Sequence, residues 1–143
     1  MRRLDPHDSL GFHCALTVKA FMGALEKKLR GTGVSKAQFL ALEHLIASGQ
    51  LSQSELVDRL SITPATGTRL VDRMERDGWV KRQTDPGDGR TKRVVPTKPI
   101  KDLWSGVSRS GEELLDRAYR GVNAAEIETV KSVLRKVRKN LQD

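Results

Sequence analysis

Between residues 52 and 78 the chain starts a helix twice and stops it twice, with a short turn in between. Ser52 and Glu55 form a capping box, in which the serine oxygen and the glutamate side chain each satisfy a backbone N–H left unpaired by the first helical turn. Leu56 and Leu60, one turn apart, give the short helix behind this box an apolar stripe. Ser61-Ile62-Thr63-Pro64 turns the chain and starts again, with Thr63 as cap and Pro64 at the first helical position, where its missing N–H would be unpaired anyway. Gly78 supplies the stop. Two short helices joined by a tight turn predict a helix-turn-helix.

The flanks add four more helices and one break. Leu10, Cys14, Val18, Phe21, Leu25 and Leu29 recur at helical spacing and predict a helix over about residues 9–30, ended by Gly31-Thr32-Gly33. Ser35 and Gln38 form a second capping box, and the helix behind it carries Phe39, Leu42, Leu45 and Ile46 before Gly49. After Gly78, Trp79–Thr84 and Thr91–Pro96 are rich in branched and cationic residues and flank Asp85-Pro-Gly-Asp-Gly-Arg90. That pattern predicts a hairpin with an extended polar tip. Thr97 is expected to cap a long helix with the stripe Ile100, Leu103, Trp104, Val107, Leu114, Leu115, Ala118 and Val122. Asn123-Ala-Ala-Glu126 starts a last helix bearing Ile127, Val130, Val133, Leu134, Val137 and Leu141. The expected fold is mostly α (α+β): four helices, a β-hairpin wing and two helices. Residues 1–143 form a single domain, with a winged helix-turn-helix lobe over residues 35–97 and long helices at 1–34 and 98–143.

The outer helices carry narrow stripes, and apolar residues make up only 37% of the 143, so a second copy of the chain is expected to complete the core. Lys and Arg outnumber Asp and Glu by 26 to 18, a net charge of +8 that points to a polyanionic partner. No apolar run is long enough to span a bilayer, and Met1-Arg2-Arg3-Leu4-Asp5-Pro6 shows no apolar leader. With the single cysteine, Cys14, this leads to an expected cytoplasmic, nucleoid-associated protein without membrane contact.

On a helical wheel of about 100° per residue, Gly67, Leu70, Val71 and Met74 fall on one side of the second short helix. Ala65, Thr66, Arg69, Asp72, Arg73 and Arg76 fall on the other. Small residues near a helix N-terminus let the backbone approach a DNA groove, and arginine pairs with guanine or clamps phosphate. Gly67 on the inward face implies close packing against the preceding helix. The hairpin brings Lys81, Arg82, Arg90, Lys92 and Arg93, with Asp88 placed to hold Arg90 at the tip. Double-stranded DNA is the expected partner.

Leu51-Ser-Gln-Ser-Glu-Leu-Val-Asp-Arg-Leu60, Thr63-Pro-Ala-Thr-Gly-Thr-Arg-Leu-Val-Asp-Arg-Met-Glu-Arg-Asp-Gly78, Trp79-Val-Lys-Arg82 and the wing with Asp88 and Arg90 resemble the MarR family of bacterial transcription regulators. The resemblance covers nearly the whole chain. It implies a homodimer interlocked through the N-terminal and last two helices. Each lobe reads half of a pseudopalindrome, and the wing arginine, Arg90, enters the minor groove. It also implies a repressor released by a small lipophilic or phenolic effector, in a crevice between the dimerisation helices and the DNA-binding lobe. The DNA-binding residues expected here are Thr63, Pro64, Ala65, Thr66, Thr68, Arg69, Arg73, Arg82, Asp88, Arg90, Lys92 and Arg93; Phe21, Leu25, Leu42 and Trp104 are expected at the crevice. The chain departs from the family pattern at Gly67, often a branched apolar residue, at Gly89 before Arg90, and at Pro96-Thr97 with Pro99 following.

The three histidines, His7, His13 and His44, form no catalytic or zinc-binding spacing, and no glycine-rich phosphate loop is present. No enzyme activity, metal or cofactor is expected. Asp5, His7, Asp8 and His13 read as a solvated arm, and Cys14 as a packing residue with no redox role. The alternative reading is a winged-helix protein-interaction module without DNA binding. It would more often expose aromatic anchors where this chain has arginines.

Overall fold

The computed structural model describes residues 5–142; Met1–Leu4, part of the stretch expected to hold no apolar leader, and Asp143 lie outside the described residues. Each predicted helix forms, and local capping explains most of the starts. The α1 helix (Leu10–Leu29) begins at Ser9, whose hydroxyl oxygen accepts from the Phe12 N–H. Both halves of the Ser35/Gln38 box start α2 (Lys36–Ser48), which ends at Gly49 with φ 79°. The Ser52/Glu55 box starts α3 (Gln53–Leu60), and Thr63 caps α4 (Pro64–Arg76) through the Thr66 N–H at 3.2 Å. Between them Ser61 sits in the left-handed region at φ 53°. The long α5 (Lys98–Ala118) is followed by α6 (Ala124–Gln142), opened by reciprocal bonds between Asn123 and Glu126 of 2.8 and 2.9 Å.

The strands differ from the sequence expectation. A two-residue strand, β1 (Leu51–Ser52), has no sequence signal and owes its existence to β3. In the hairpin, β2 (Val80–Asp85) and β3 (Asp88–Pro96) reach almost to each other, so the expected extended tip is a tight Pro86-Gly87 turn. The reason is Asp85, whose carboxylate takes the Gly87 N–H at 2.8 Å and the Arg93 guanidinium at 2.9 Å, closing the turn from inside. Thr84 pairs with Lys92 but Asp85 with Asp88, so Gly89, Arg90 and Thr91 bulge out of β3. The antiparallel sheet runs β1-β3-β2.

Thr97 occupies the cap position of α5 but makes no side-chain cap. Pro99 removes one of the N–H groups such a cap would use, and the Thr97 hydroxyl donates instead to the Gly78 carbonyl at 2.6 Å. The end of α4 is thereby tied to the start of α5. Val122, expected on the α5 stripe, lies beyond that helix.

The core joins the end of α1, α2, α3, α4, the sheet and α5 as far as Leu114, with Leu42, Leu45, Leu56, Met74, Val94 and Ile100 almost fully enclosed. No residue of α6 is buried, and its Val130 and Leu141 are 55% and 81% exposed.

Candidate nucleic-acid interface

The inner face of α4 is Gly67, Val71 and Met74, all buried. A Cβ on Gly67 would fall on Val57 Cγ2 of α3, so only glycine permits this crossing. The packing fixes which face α4 turns outward. Thr63, Pro64, Ala65, Thr66, Thr68, Arg69, Arg73 and Arg76 are all exposed there. Thr66 accepts from the Thr63 hydroxyl at 2.9 Å, and Thr68 donates to the Pro64 carbonyl at 3.1 Å while accepting from Gln53 at 3.1 Å. Among the described residues, Arg69, Arg73 and Arg76 form no ion pair, so three guanidinium groups project from one helix face.

The wing cations divide into two kinds. Arg82, expected at DNA, is held by Asp72 at 2.7 Å and Glu75 at 3.5 Å, and its Nε donates to Gln53 at 3.2 Å. It knits α3, α4 and β2 together. Arg93 lies between Asp85 at 2.9 Å and Glu55 at 3.4 Å and joins the wing to α3. Both guanidinium groups are thus ion-paired inside the lobe and are only 21% and 30% exposed. Arg90 and Lys92 remain outward, Lys92 donating to the Thr84 hydroxyl at 3.0 Å. Asp88 does not grip the Arg90 side chain. It accepts the Arg90 backbone N–H at 3.0 Å and the Thr91 hydroxyl at 3.0 Å, and so shapes the bulge that carries Arg90. The bonds from Gly87 and Arg93 hold the Asp85 carboxyl below its ordinary value.

A crevice of about 530 Å³ opens between α1, α2 and α5. Phe21, Leu25 and Trp104 line it as expected; Leu42 does not, because its side of α2 faces the core with no exposure at all. Phe39 takes that place and stacks on Trp104, centroids 5.5 Å apart and planes at 29°. Gly111 makes room for it: a Cβ there would stand 2.8 Å from Phe39 Cζ. Sequence reading missed Phe39, Glu43 and Glu112 at this crevice. Phe39, Glu43 and Ala47 recur every four residues, a helical-face signal that could have found the first two.

Cys14 is half-buried on α1. Among the described residues no three metal-binding side chains gather, and no helix is long and apolar enough to cross a membrane.

A helix-turn-helix braced by a three-stranded sheet, with a hairpin projecting beside the second helix, defines a winged helix-turn-helix protein. A sequence-family model described as the MarR family matches residues 32–91. The chain is 25% identical over 109 residues to YybA of Bacillus subtilis (strain 168), described as an uncharacterized HTH-type transcriptional regulator, covering 76% of this chain and 73% of that one. It superposes on a cysteine-to-serine variant of MarR from E. coli complexed with operator DNA, with TM-score 0.81 and 26% identity, over 90% of this chain and 92% of that one. BpsR of Bordetella bronchiseptica, whose DNA binding is regulated by 6-hydroxynicotinic acid, shares the fold at TM-score 0.83 and 21% identity, over 94% and 96% of the two chains. Residues 32–91 thus match the MarR family of helix-turn-helix transcription regulators, and the chain shares the fold of E. coli MarR over 90% of its length.

Proposed function

We propose that the chain works as a homodimer that binds a pseudopalindromic operator, represses transcription there and is released by a small-molecule effector. Residues 35–97 are the DNA-binding lobe; residues 1–34 and 98–143 build the dimer. The α4 helix enters the major groove, with Thr66, Thr68 and Arg69 toward base edges. Thr63, Pro64 and Ala65 lie at its N-terminus, where the backbone meets a phosphate. Arg73 and Lys92 take phosphates, and Arg90 reaches the minor groove, where arginine is electrostatically favoured. Asp88 shapes the bulge behind Arg90, while Arg82 and Arg93 hold the wing in place.

The observation that carries this reading is the division of the lobe's cations. Arg82 and Arg93 are neutralised by carboxylates within it, whereas Arg69, Arg73 and Arg90 face outward without ion pairs among the described residues. The operator-bound E. coli relative uses the same fold. The dimer is supported by α6, whose apolar stripe is nowhere buried among the described residues and leaves Val130 and Leu141 largely exposed. Coupling to an effector has a physical route. Gln38 on α2 donates to Asp77 at the end of α4 at 2.8 Å, next to Phe39 at the crevice wall. A ligand that prefers an α2 position unsuited to DNA shifts the dimer off its operator.

The test is to select genomic fragments with the purified protein and sequence them. The proposal expects one enriched pseudopalindrome with half-site centres about 34–36 Å apart. Fragments retained without sequence enrichment would contradict it and favour an interaction module.

A further inference from the structure

The crevice between α1, α2 and α5 has a charge opposite to that of the chain. The net charge is +8, yet among the described residues no Lys or Arg lines this crevice, and the charged lining residues among them are Glu43 on α2 and Glu112 on α5. Neither carboxylate forms an ion pair among the described residues, whereas neighbouring Glu113 is held by Lys28 at 2.6 Å. Burial pushes the Glu43 carboxyl up from its ordinary value, with adjacent His44 offsetting this only in part. A partly desolvated acid without a counter-ion is a site that a cation would satisfy.

The rest of the wall has matching chemistry. Phe39 and Trp104 form a stacked pair, and Phe21 and Met22 complete the apolar lining. Aromatic faces carry negative quadrupole potential and attract organic cations; the methionine sulfur is polarizable and adapts to irregular shapes. An anionic phenolate or carboxylate would meet two like charges and no basic side chain. The volume, about 530 Å³, suits a multi-ring molecule.

We propose that this crevice binds lipophilic organic cations, with an aromatic body against Phe39, Trp104 and Phe21 and a quaternary or protonated nitrogen facing Glu43 and Glu112. Its regulatory meaning rests on the effector reading above. The phenolic class implied by family resemblance is thereby replaced, for this chain, by its charge opposite.

The experiment is calorimetric titration of the full-length protein, without DNA, using tetraphenylphosphonium and its anionic isostere tetraphenylborate. The phosphonium should bind at one site per chain, and the borate should not bind there. Glu43→Gln and Glu112→Gln, each checked for unchanged melting, should each weaken phosphonium binding by about tenfold, the scale of one lost charge contact at a partly desolvated site. Borate binding as tight as that of phosphonium, or an unchanged phosphonium affinity in both variants, would overturn the proposal. Phosphonium binding that depends on both glutamates but leaves DNA affinity unchanged supports the cation site and contradicts the effector reading. DNA binding without any phosphonium site overturns the cation proposal alone.

Discussion

Replacing Gly67 by alanine adds one methyl group at the crossing of α3 and α4, where Val57 Cγ2 already sits. Two effects oppose each other. Relief of glycine's backbone entropy favours the helix by about 1 kcal/mol. Overpacking a filled site costs about 1–3 kcal/mol. The overlap is deep, and Val57 is β-branched on a helix, where essentially one rotamer is open to it. The cost therefore lies in the upper part of that range, leaving a net loss of about 1–2 kcal/mol. Urea denaturation at fixed protein concentration reads this, because an oligomer's apparent stability changes with concentration. Val57→Ala makes room for the new methyl, so the double variant should lose less than the two single losses combined, with a coupling of at least about 1 kcal/mol. DNA affinity should fall in Gly67→Ala and recover in the pair, since the crossing sets how α4 is presented. A raised urea midpoint for Gly67→Ala, or losses that add to within about 0.5 kcal/mol, would refute the close-contact reasoning.

Three further outcomes follow from the lobe's charges. Arg82→Gln should lower the melting temperature and DNA affinity while leaving the salt dependence of binding unchanged; a slope reduced by about one would make it a phosphate contact instead. Arg69→Ala should relax sequence preference at one position by about 1–3 kcal/mol, whereas Lys92→Ala should weaken all sequences alike and reduce the salt slope by about one; the reverse pattern would mean the roles are exchanged. Asp85, held low by the Gly87 N–H and Arg93, contributes stability that is present above its ordinary value of 3.8 and is lost as pH falls through the lowered value. Protection of the Gly87 amide, followed by NMR, should therefore fall below about pH 4, and Asp85→Asn should abolish that acid step; an acid step that survives the substitution would sink this account of the wing.

Helix starts were legible because they are local. The Ser35/Gln38, Ser52/Glu55 and Asn123/Glu126 pairs each satisfy their own backbone within one turn, whatever the rest of the chain does. The inward position of Gly67 was legible from helical period, and the reason for it emerged only with Val57 opposite. What sequence could not convey was set by distant partners. Strand β1 exists because Val94 and Arg93 lie beside Leu51 and Ser52, and a two-residue strand leaves no period to read. Arg82 and Arg93 have the same composition signal as Arg90, yet Asp72, Glu75, Asp85 and Glu55 bind the first two. Turn formers at 85–90 suggested an open tip, while Asp85 used its carboxylate to draw the strands together. Leu42 and Phe39 are both apolar and three residues apart; Phe39 shares its face with Glu43 and Ala47 and meets the crevice, while Leu42 is wholly enclosed in the core.

The central claim is that the outward face of α4 and the wing bind DNA sequence-selectively. Fluorescence anisotropy of the full-length protein tests it most directly, using the DNA upstream of its own gene or a fragment selected from the genome, with a scrambled control, across a salt series. The account predicts tight binding to the specific fragment, weak binding to the control, and an affinity that falls steeply with salt as phosphate contacts are lost. Equal, weak binding to a selected fragment and its scrambled form would contradict it.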